Sequence, residues 1–304
     1  MAKQMLIEEH IRKNKSDTLL ICIFMLLLLF GVIFTVGLVL GAPPFVSMVI
    51  GLPIALAYIL ITYSFSVQSV LSAAGARAAN PQNRDEKILI YKVEEMAIAA
   101  GLPTPKVYVQ DSKDINAFAT GKNPQEAVIC ATTGAIQQLN KDELEGVIGH
   151  EMSHIRNRDI LVMTVTVGVV GAIALLAEIV LRMLFWGGIR GGGRSDRKGG
   201  GNIIVFVLAI VFIVLAPIFS RLTYLAISRK REYLADADGA YLTRNPEGLA
   251  RALEKIKEDL PDDPKGSKTV APLYIANPFK RALRDSIWST HPPLDERIRR
   301  LRSM

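Results

Sequence analysis

Cysteine is nearly missing from this 304-residue chain, which holds only Cys22 and Cys130. Cys22 sits inside an apolar block and Cys130 in a stretch that reads as a strand. Neither has neighbours at the spacing of a zinc-binding cysteine cluster. Two thiols so far apart exclude a disulfide framework and read as buried small hydrophobes. Aromatics are sparse at 7%, and the formal charge of +7 is modest. Its Lys and Arg gather beside apolar blocks and are not interleaved with aromatics along a stripe, which excludes a nucleic-acid surface and fits membrane flanks. No Ala-x-Ala cleavage pattern follows the first apolar block, so that block is not read as a secretory leader. No internal repeat of the solenoid kind is present.

What the chain has in quantity is apolar residue, 50% of the total, and it is collected in blocks. Residues 18–40 and 45–65 are separated by Gly41-Ala42-Pro43-Pro44, which breaks a helix without a single charge. Each block is close to the roughly 20 residues that a bilayer core requires, so the two read as a hairpin of membrane spans. Residues 160–186 and 203–227 form a second pair around a glycine-rich loop, 187–202, that carries Arg190, Arg194, Arg197 and Lys198. Glu178 and Arg182 lie four apart near the end of the third block and are expected to neutralise each other on one helix face.

Between and after these blocks the chain reads as soluble. A helix is expected over 85–100, stopped at Gly101. Residues 106–110, 116–121 and 126–132 read as short strands of a small antiparallel sheet. Asn140 reads as a helix N-cap with Glu143 at the capping-box position. A further helix opens at Asn245-Pro246 and runs to about residue 259, and a final basic helix follows Thr290-His291-Pro292-Pro293.

The helix that starts at Asn140 carries the most informative stretch, Gly149-His150-Glu151-Met152-Ser153-His154. Two histidines four residues apart share one face of a helix and can bind one zinc ion, while the glutamate between them addresses the water that the ion holds. The plain alternative is a solvated helix that happens to carry two of the four histidines. A catalytic zinc needs three protein ligands and an open position for water. His154 lies just before the third block, and a helical hairpin would return the chain to the same side after the fourth. The acids there, Glu232, Asp236 and Asp238, are the candidates for the third ligand. Glu232 and Asp236 share a helix face, so one could bind metal while the other orients a ligand histidine. Glu232 is taken as ligand and Asp236 as orienter. The plain alternative is a solvated acidic turn that neutralises the basic residues 229–231.

Four stretches together, HEMSH (150–154), NAFATG (116–121), SRKREYLADADGA (228–240) and STHPPLDERI (289–298), resemble the HtpX family. These are zinc-dependent heat-shock endopeptidases of membrane quality control, kin of the CAAX prenyl protease. The resemblance covers nearly the whole chain. It implies one zinc ion per chain held by His150, His154 and Glu232, with Glu151 as catalytic base. It also implies that Asp236 and Arg297 support the site and that His291 stabilises the oxyanion. Asn116, Ala117 and Phe118 would lie on the strand lining the substrate groove, where a peptide could add as a further strand.

The fold expected is mainly α with a small antiparallel β-sheet, in an integral membrane protein with four hydrophobic helices and a zincin-type catalytic domain. Its parts would be a charged tail (1–17), a transmembrane hairpin (18–66), the first part of the catalytic domain (67–159), a second hairpin (160–228) and the rest of the catalytic domain (229–304). Lys and Arg beside the spans place that domain on the cytoplasmic face of a multi-pass plasma-membrane protein. The four basic residues of loop 187–202 count against this arrangement. The expected partners are unfolded or misfolded proteins and the lipid bilayer, with no nucleic acid. Two other readings stand beside this one: a site-2-type intramembrane protease, and a zinc-binding membrane scaffold without activity.

Overall fold

The protein was studied as a computed structural model that describes residues 16, 19–20, 23–24, 26–38, 41–161, 163, 178, 182, 229–259, 271–276 and 291–304. Most of tail 1–17, Cys22, loop 187–202 and nearly all of the apolar blocks 160–186 and 203–227 lie outside these residues. Two compact units are formed. The first comprises residues 1–18, 65–164 and 224–304, and the second comprises 19–64 and 165–223.

In the second unit, helix α1 (Leu26–Leu38) is followed by α2 (Pro44–Ala74), which continues into the first unit. Pro44 opens α2, where its missing N–H costs nothing. The 18 residues from Pro44 to Ile61 are long and apolar enough to cross a membrane, and α2 is the only such helix among the described residues. Gly41, with φ 86°, makes the turn between α1 and α2. Glu178 and Arg182 do pair, with Arg182 Nε donating to Glu178 Oε1 at 3.1 Å.

The first unit carries the sheet and the remaining helices. Strand β1 (Ala76–Ala78) leads into α3 (Arg84–Ala100), which Asn83 caps by accepting from the backbone N–H of Asp85 and Glu86. Gly101 ends α3 in the left-handed conformation, φ 67°, and Leu102 N closes back on Ala97 O. Only glycine takes that backbone at no steric cost. Strands β2 (Lys106–Gln110), β3 (Ala117–Thr120) and β4 (Val128–Thr132) follow, then α4 (Thr133–Gln138), a short helix that the hydrophobic pattern does not announce. Helix α5 (Lys141–Arg156) starts with the expected capping box, in which Asn140 and Glu143 exchange side-chain-to-backbone bonds. A helix over 229–243 (α6), α7 (Pro246–Glu258) and α8 (Leu294–Leu301) complete the described elements.

The sheet is mixed, not antiparallel. Its order is β1-β2-β4-β3, with β2 parallel to β4 and the other two pairs antiparallel. The reason lies in the path of the chain. From β2 it passes to the far side of β4's position, lays down β3 at the edge, and turns back over 121–127 to place β4 between them. That excursion is long enough to act as the crossover that a parallel pair requires.

Helix α5 packs on α3, α7 and β3, so it lies at the centre of the apolar core. Leu144, Val147, Ile148, Met152 and Ile155 are buried there. The same helix therefore carries its motif into a region from which water is excluded.

Candidate active site

Three ligand-bearing side chains converge on one point. His150 Nε2 lies 3.7 Å from Glu232 Oε2, and His154 Nε2 lies 3.5 Å from Glu232 Oε1. The two imidazole rings stand at 90° with centroids 4.8 Å apart. One ligand atom from each of His150, His154 and Glu232 can be chosen so that all three lie within 4.8 Å of one another. Glu232 is 1% exposed and Asp236 2%, which rules out the solvated acidic turn. The third acid considered, Asp238, instead accepts from Asn157 Nδ2 at 2.8 Å.

The helix contact that brings Glu232 here is unusually close. A Cβ on Gly239 of α6 would lie 2.9 Å from His150 N and 3.0 Å from His150 Cα. With no side chain at 239, the two backbones meet next to the first histidine. Glu232 and Asp236, two turns and one turn earlier on α6, are thereby carried against α5.

Each histidine has a carboxylate behind it. His150 Nδ1 lies 3.0 Å from Asp236 Oδ1, and Arg297 grips Asp236 with two bonds, Nε to Oδ2 at 2.8 Å and Nη2 to Oδ1 at 2.7 Å. His154 Nδ1 lies 3.4 Å from Asp159 Oδ2. A carboxylate at Nδ1 keeps the proton there and turns the Nε2 lone pair inward, which is the tautomer a metal ligand needs. Arg297 is wholly buried and also reaches Glu232 Oε2 at 3.4 Å and the carbonyl of Ile275 at 2.8 Å. His291 Nε2 stands 3.8 Å from Glu232 Oε2. It is buried, and no side chain caps α8, so His291 is neither a surface nor a capping residue.

Burial and charge perturb these groups in consistent directions. Burial pushes the Glu151 carboxyl above the usual carboxylate range, and the charges of His150 and His154 and the N–H of Ala119 offset only part of that rise. For Glu232 burial acts upward too. There the nearby charge of His291, the hydrogen bond with His154 and the charge of Arg297 win, and the carboxyl is held far below its ordinary value. Asp236 is likewise lowered, against burial, by Arg297 and His150. In the absence of metal, burial pulls His154 down, but its bonds to Asp159 and Glu232 lift it to about 10.

The donor set fits a zinc ion. His150 Nε2, Glu151 Oε1 and Glu232 Oε2 are buried with no hydrogen-bond partner among the described residues. Buried polar atoms are rarely left so, and two imidazoles with one carboxylate form a three-ligand set of the kind that catalytic zinc uses.

Asn116, Ala117 and Phe118 lie at β3, the edge of the sheet that faces α5. Asn116 O accepts from Thr132 N at 3.0 Å, while Ala117 O on the opposite side accepts from Ile275 N at 2.9 Å. Residues 271–276 thus already run along the start of this edge. The Asn116 side chain fastens them by donating Nδ2 to Ala276 O at 2.8 Å, and Phe118 meets Tyr274 edge-on at 5.3 Å. Farther along, Ala119 turns its N–H to Glu151.

Asp159 and Arg231 belong to the site but were absent from the sequence expectation. Asp159 follows His154 by five residues, beyond one helical turn, so spacing on a straight helix does not point to it. Arg231 looked like one more basic flank of an apolar block.

Residues 83–304 match the pattern of peptidase family M48. Among curated relatives, the chain is 47% identical over 247 residues to the protease HtpX homolog of Thermoanaerobacter pseudethanolicus, covering 81% of each chain. It is 40% identical over 298 residues to the protease HtpX homolog of Streptococcus gordonii, covering 97% of this chain and 99% of that one. Among solved structures it is similar to the crystal structure of S. mikatae Ste24p, with a TM-score of 0.48 and 19% identity, over 99% of this chain and 65% of that chain. The last likeness is too slight to carry an argument.

Proposed function

The chain belongs to peptidase family M48, and from that premise we propose that it is a zinc metalloendopeptidase at the cytoplasmic face of the plasma membrane. Its substrates would be unfolded or misfolded proteins, membrane proteins included. The observation that carries this reading is the unpartnered Glu151 Oε1, buried beside the His150, His154 and Glu232 cluster. A site that held metal only for structure would need no carboxylate base there.

His150, His154 and Glu232 would hold the ion. When bound, zinc supplies Lewis acidity to a scissile carbonyl and makes water acidic enough to deprotonate near neutrality. Glu151 takes the proton of the attacking water on Oε1 and hands it to the leaving amine. Its raised pKa suits both halves of that exchange. His291, close to Glu232 at the rim of the cluster, would donate a hydrogen bond to the developing oxyanion. Peptide would add along β3 beyond Ala117, whose carbonyl Ile275 already occupies, in the stretch around Ala119 that faces Glu151. Backbone bonds of that kind hold a peptide with little regard for its side chains, which suits disposal of misfolded chains. Helix α2 and the apolar blocks would anchor the enzyme.

Purified protein, with and without zinc, incubated with an unfolded substrate beside the Glu151→Gln variant tests the reading. Cleavage by wild type only with zinc, and none by a variant that still binds zinc, is expected. Equal cleavage by the variant, or none by the zinc-loaded wild type, would discard it. A C-terminal tag shielded from protease added outside intact cells checks the orientation.

A further inference from the structure

We propose that Asp159 and Arg231 form a positioning clasp for the metal centre, fixing the ring of His154 and holding the helix that bears the third ligand against the helix that bears the first two. The inference rests on the zinc reading above. Asp159 is 1% exposed and places one carboxylate oxygen 3.4 Å from His154 Nδ1 and the other 3.4 Å from Arg231 Nε. Arg231 is itself 5% exposed and immediately precedes Glu232 on α6. One carboxylate therefore links the second ligand of α5 to the residue next to the third ligand on α6.

The arrangement repeats what stands behind the other histidine. His150 leans on Asp236, and Asp236 on Arg297. His154 leans on Asp159, and Asp159 on Arg231. A buried carboxylate is expensive to desolvate, and each one here is held by an arginine on one side and an imidazole on the other. Both rings are thus given the same proton placement, each by its own carboxylate–arginine pair.

The local backbone is bent to make this possible. Helix α5 ends at Asn157, and Arg158 takes φ 60°, a left-handed conformation unusual for a residue with a side chain. That reversal folds Asp159 back to its histidine, although Asp159 lies more than one turn beyond it. The next residues of the chain leave for the other unit from 165 and return at 224, so Asp159 and Arg231 flank the two ends of that inserted stretch.

The test uses the full chain in detergent. Zinc affinity is measured by competition with a chromogenic chelator, and ligand geometry by the visible spectrum of the cobalt form. Wild type is compared with Asp159→Asn, Asp159→Glu, Arg231→Gln, the double variant Asp159→Asn/Arg231→Gln, and Asn157→Ala, a change in the same turn that touches Asp238 instead. Asp159→Asn, which keeps shape and loses charge, is expected to weaken zinc binding roughly 10–100-fold and shift the cobalt bands, and the metal-free protein should also melt earlier, because His154 and Arg231 lose their buried counter-charge. Asp159→Glu should recover part of the loss, and the double variant should bind no worse than Asp159→Asn alone, because the two residues act as one unit. Asn157→Ala should bind zinc as wild type does. Zinc affinity of Asp159→Asn within about twofold of wild type, or an equal loss in Asn157→Ala, overturns the clasp. A wild type that takes up no zinc overturns the metalloprotease reading itself.

Discussion

Arg297 donates to both carboxylate oxygens of Asp236, at 2.8 and 2.7 Å, and Asp236 in turn lies 3.0 Å from His150 Nδ1. The guanidinium is fully buried, so this is a desolvated pair whose worth lies in its completeness. Replacing Arg297 with Met leaves Asp236 buried with only the His150 ring to balance its charge. We expect a loss of about 3–5 kcal/mol of stability and a roughly 10–100-fold drop in zinc affinity. Arg297→Lys cannot reproduce the two-pronged bond and should fall short of wild type in both. Thermal melts of the metal-free protein and chelator competition measure the two effects separately.

Gly239→Ala is the second prediction. Alanine favours helix by about 1 kcal/mol over glycine, so propensity alone would make it stabilising. The added methyl would meet backbone atoms of His150 at 2.9 and 3.0 Å, which cannot swing aside as a side chain can. Overpacking of this kind costs about 1–3 kcal/mol, and here it is relieved only by separating α6 from α5. Zinc affinity should therefore fall together with the melting temperature, and Gly239→Ser should be at least as damaging.

Much of this was legible in the chain, and for physical reasons. Asn140 with Glu143, and Gly101 at the end of α3, announce helix ends through local geometry that needs no tertiary context; the Asn83 cap came only with the structure. HEMSH announces a metal because a helix fixes the spacing of its own side chains. Glu232 followed from supposing that a hairpin brings its two ends together. The mixed sheet was not legible, because the order of β3 and β4 depends on which side of β2 the chain passes, and strand periodicity is blind to that. Asp159 was hidden by the left-handed residue before it. Arg231 was hidden because a basic residue beside an apolar block looks the same whether it faces lipid headgroups or a buried carboxylate. The occupied start of the β3 edge was hidden too, since residues 271–276 carry no strand pattern.

The third prediction concerns pH. His154 in the metal-free protein is lifted from 6.5 to about 10: burial opposes the shift, and the bonds to Asp159 and Glu232 outweigh it. A group raised in the folded state contributes its stability fully below the unfolded value of 6.5, and that contribution is lost as pH rises through about 10. Glu232 is shifted downward, so its contribution is present above 4.5 and lost as pH falls below that value. With respect to these two groups, the metal-free protein should be most heat-stable between about pH 4.5 and 6.5 and should weaken steadily towards pH 9. Zinc reverses the slope, because its binding must expel the proton of His154. Its apparent affinity should rise with pH by up to about tenfold per unit over the same range. Melting curves with chelator and with excess zinc, taken from pH 6 to 9, should therefore diverge; parallel curves would contradict the assignment of His154.

Asn116→Ala is the last prediction, and it separates two roles for that side chain. In the structure Asn116 Nδ2 donates to Ala276 O and Oδ1 accepts from Ala117 N, so it binds the 271–276 segment to the start of β3. Its removal leaves a buried carbonyl unsatisfied, at a cost of about 1–3 kcal/mol. If the asparagine did no more than this, the enzyme would melt earlier and turn over peptide with unchanged KM. The groove reading demands more, because the edge that receives peptide begins where this segment ends. Loosening the segment should blur the register of the added strand and raise KM several-fold while kcat, which the proposed mechanism assigns to Glu151 and the residues that would hold zinc, stays nearly constant. A fall in kcat at constant KM would instead place Asn116 in the chemistry, and a fall in stability alone would remove it from the groove.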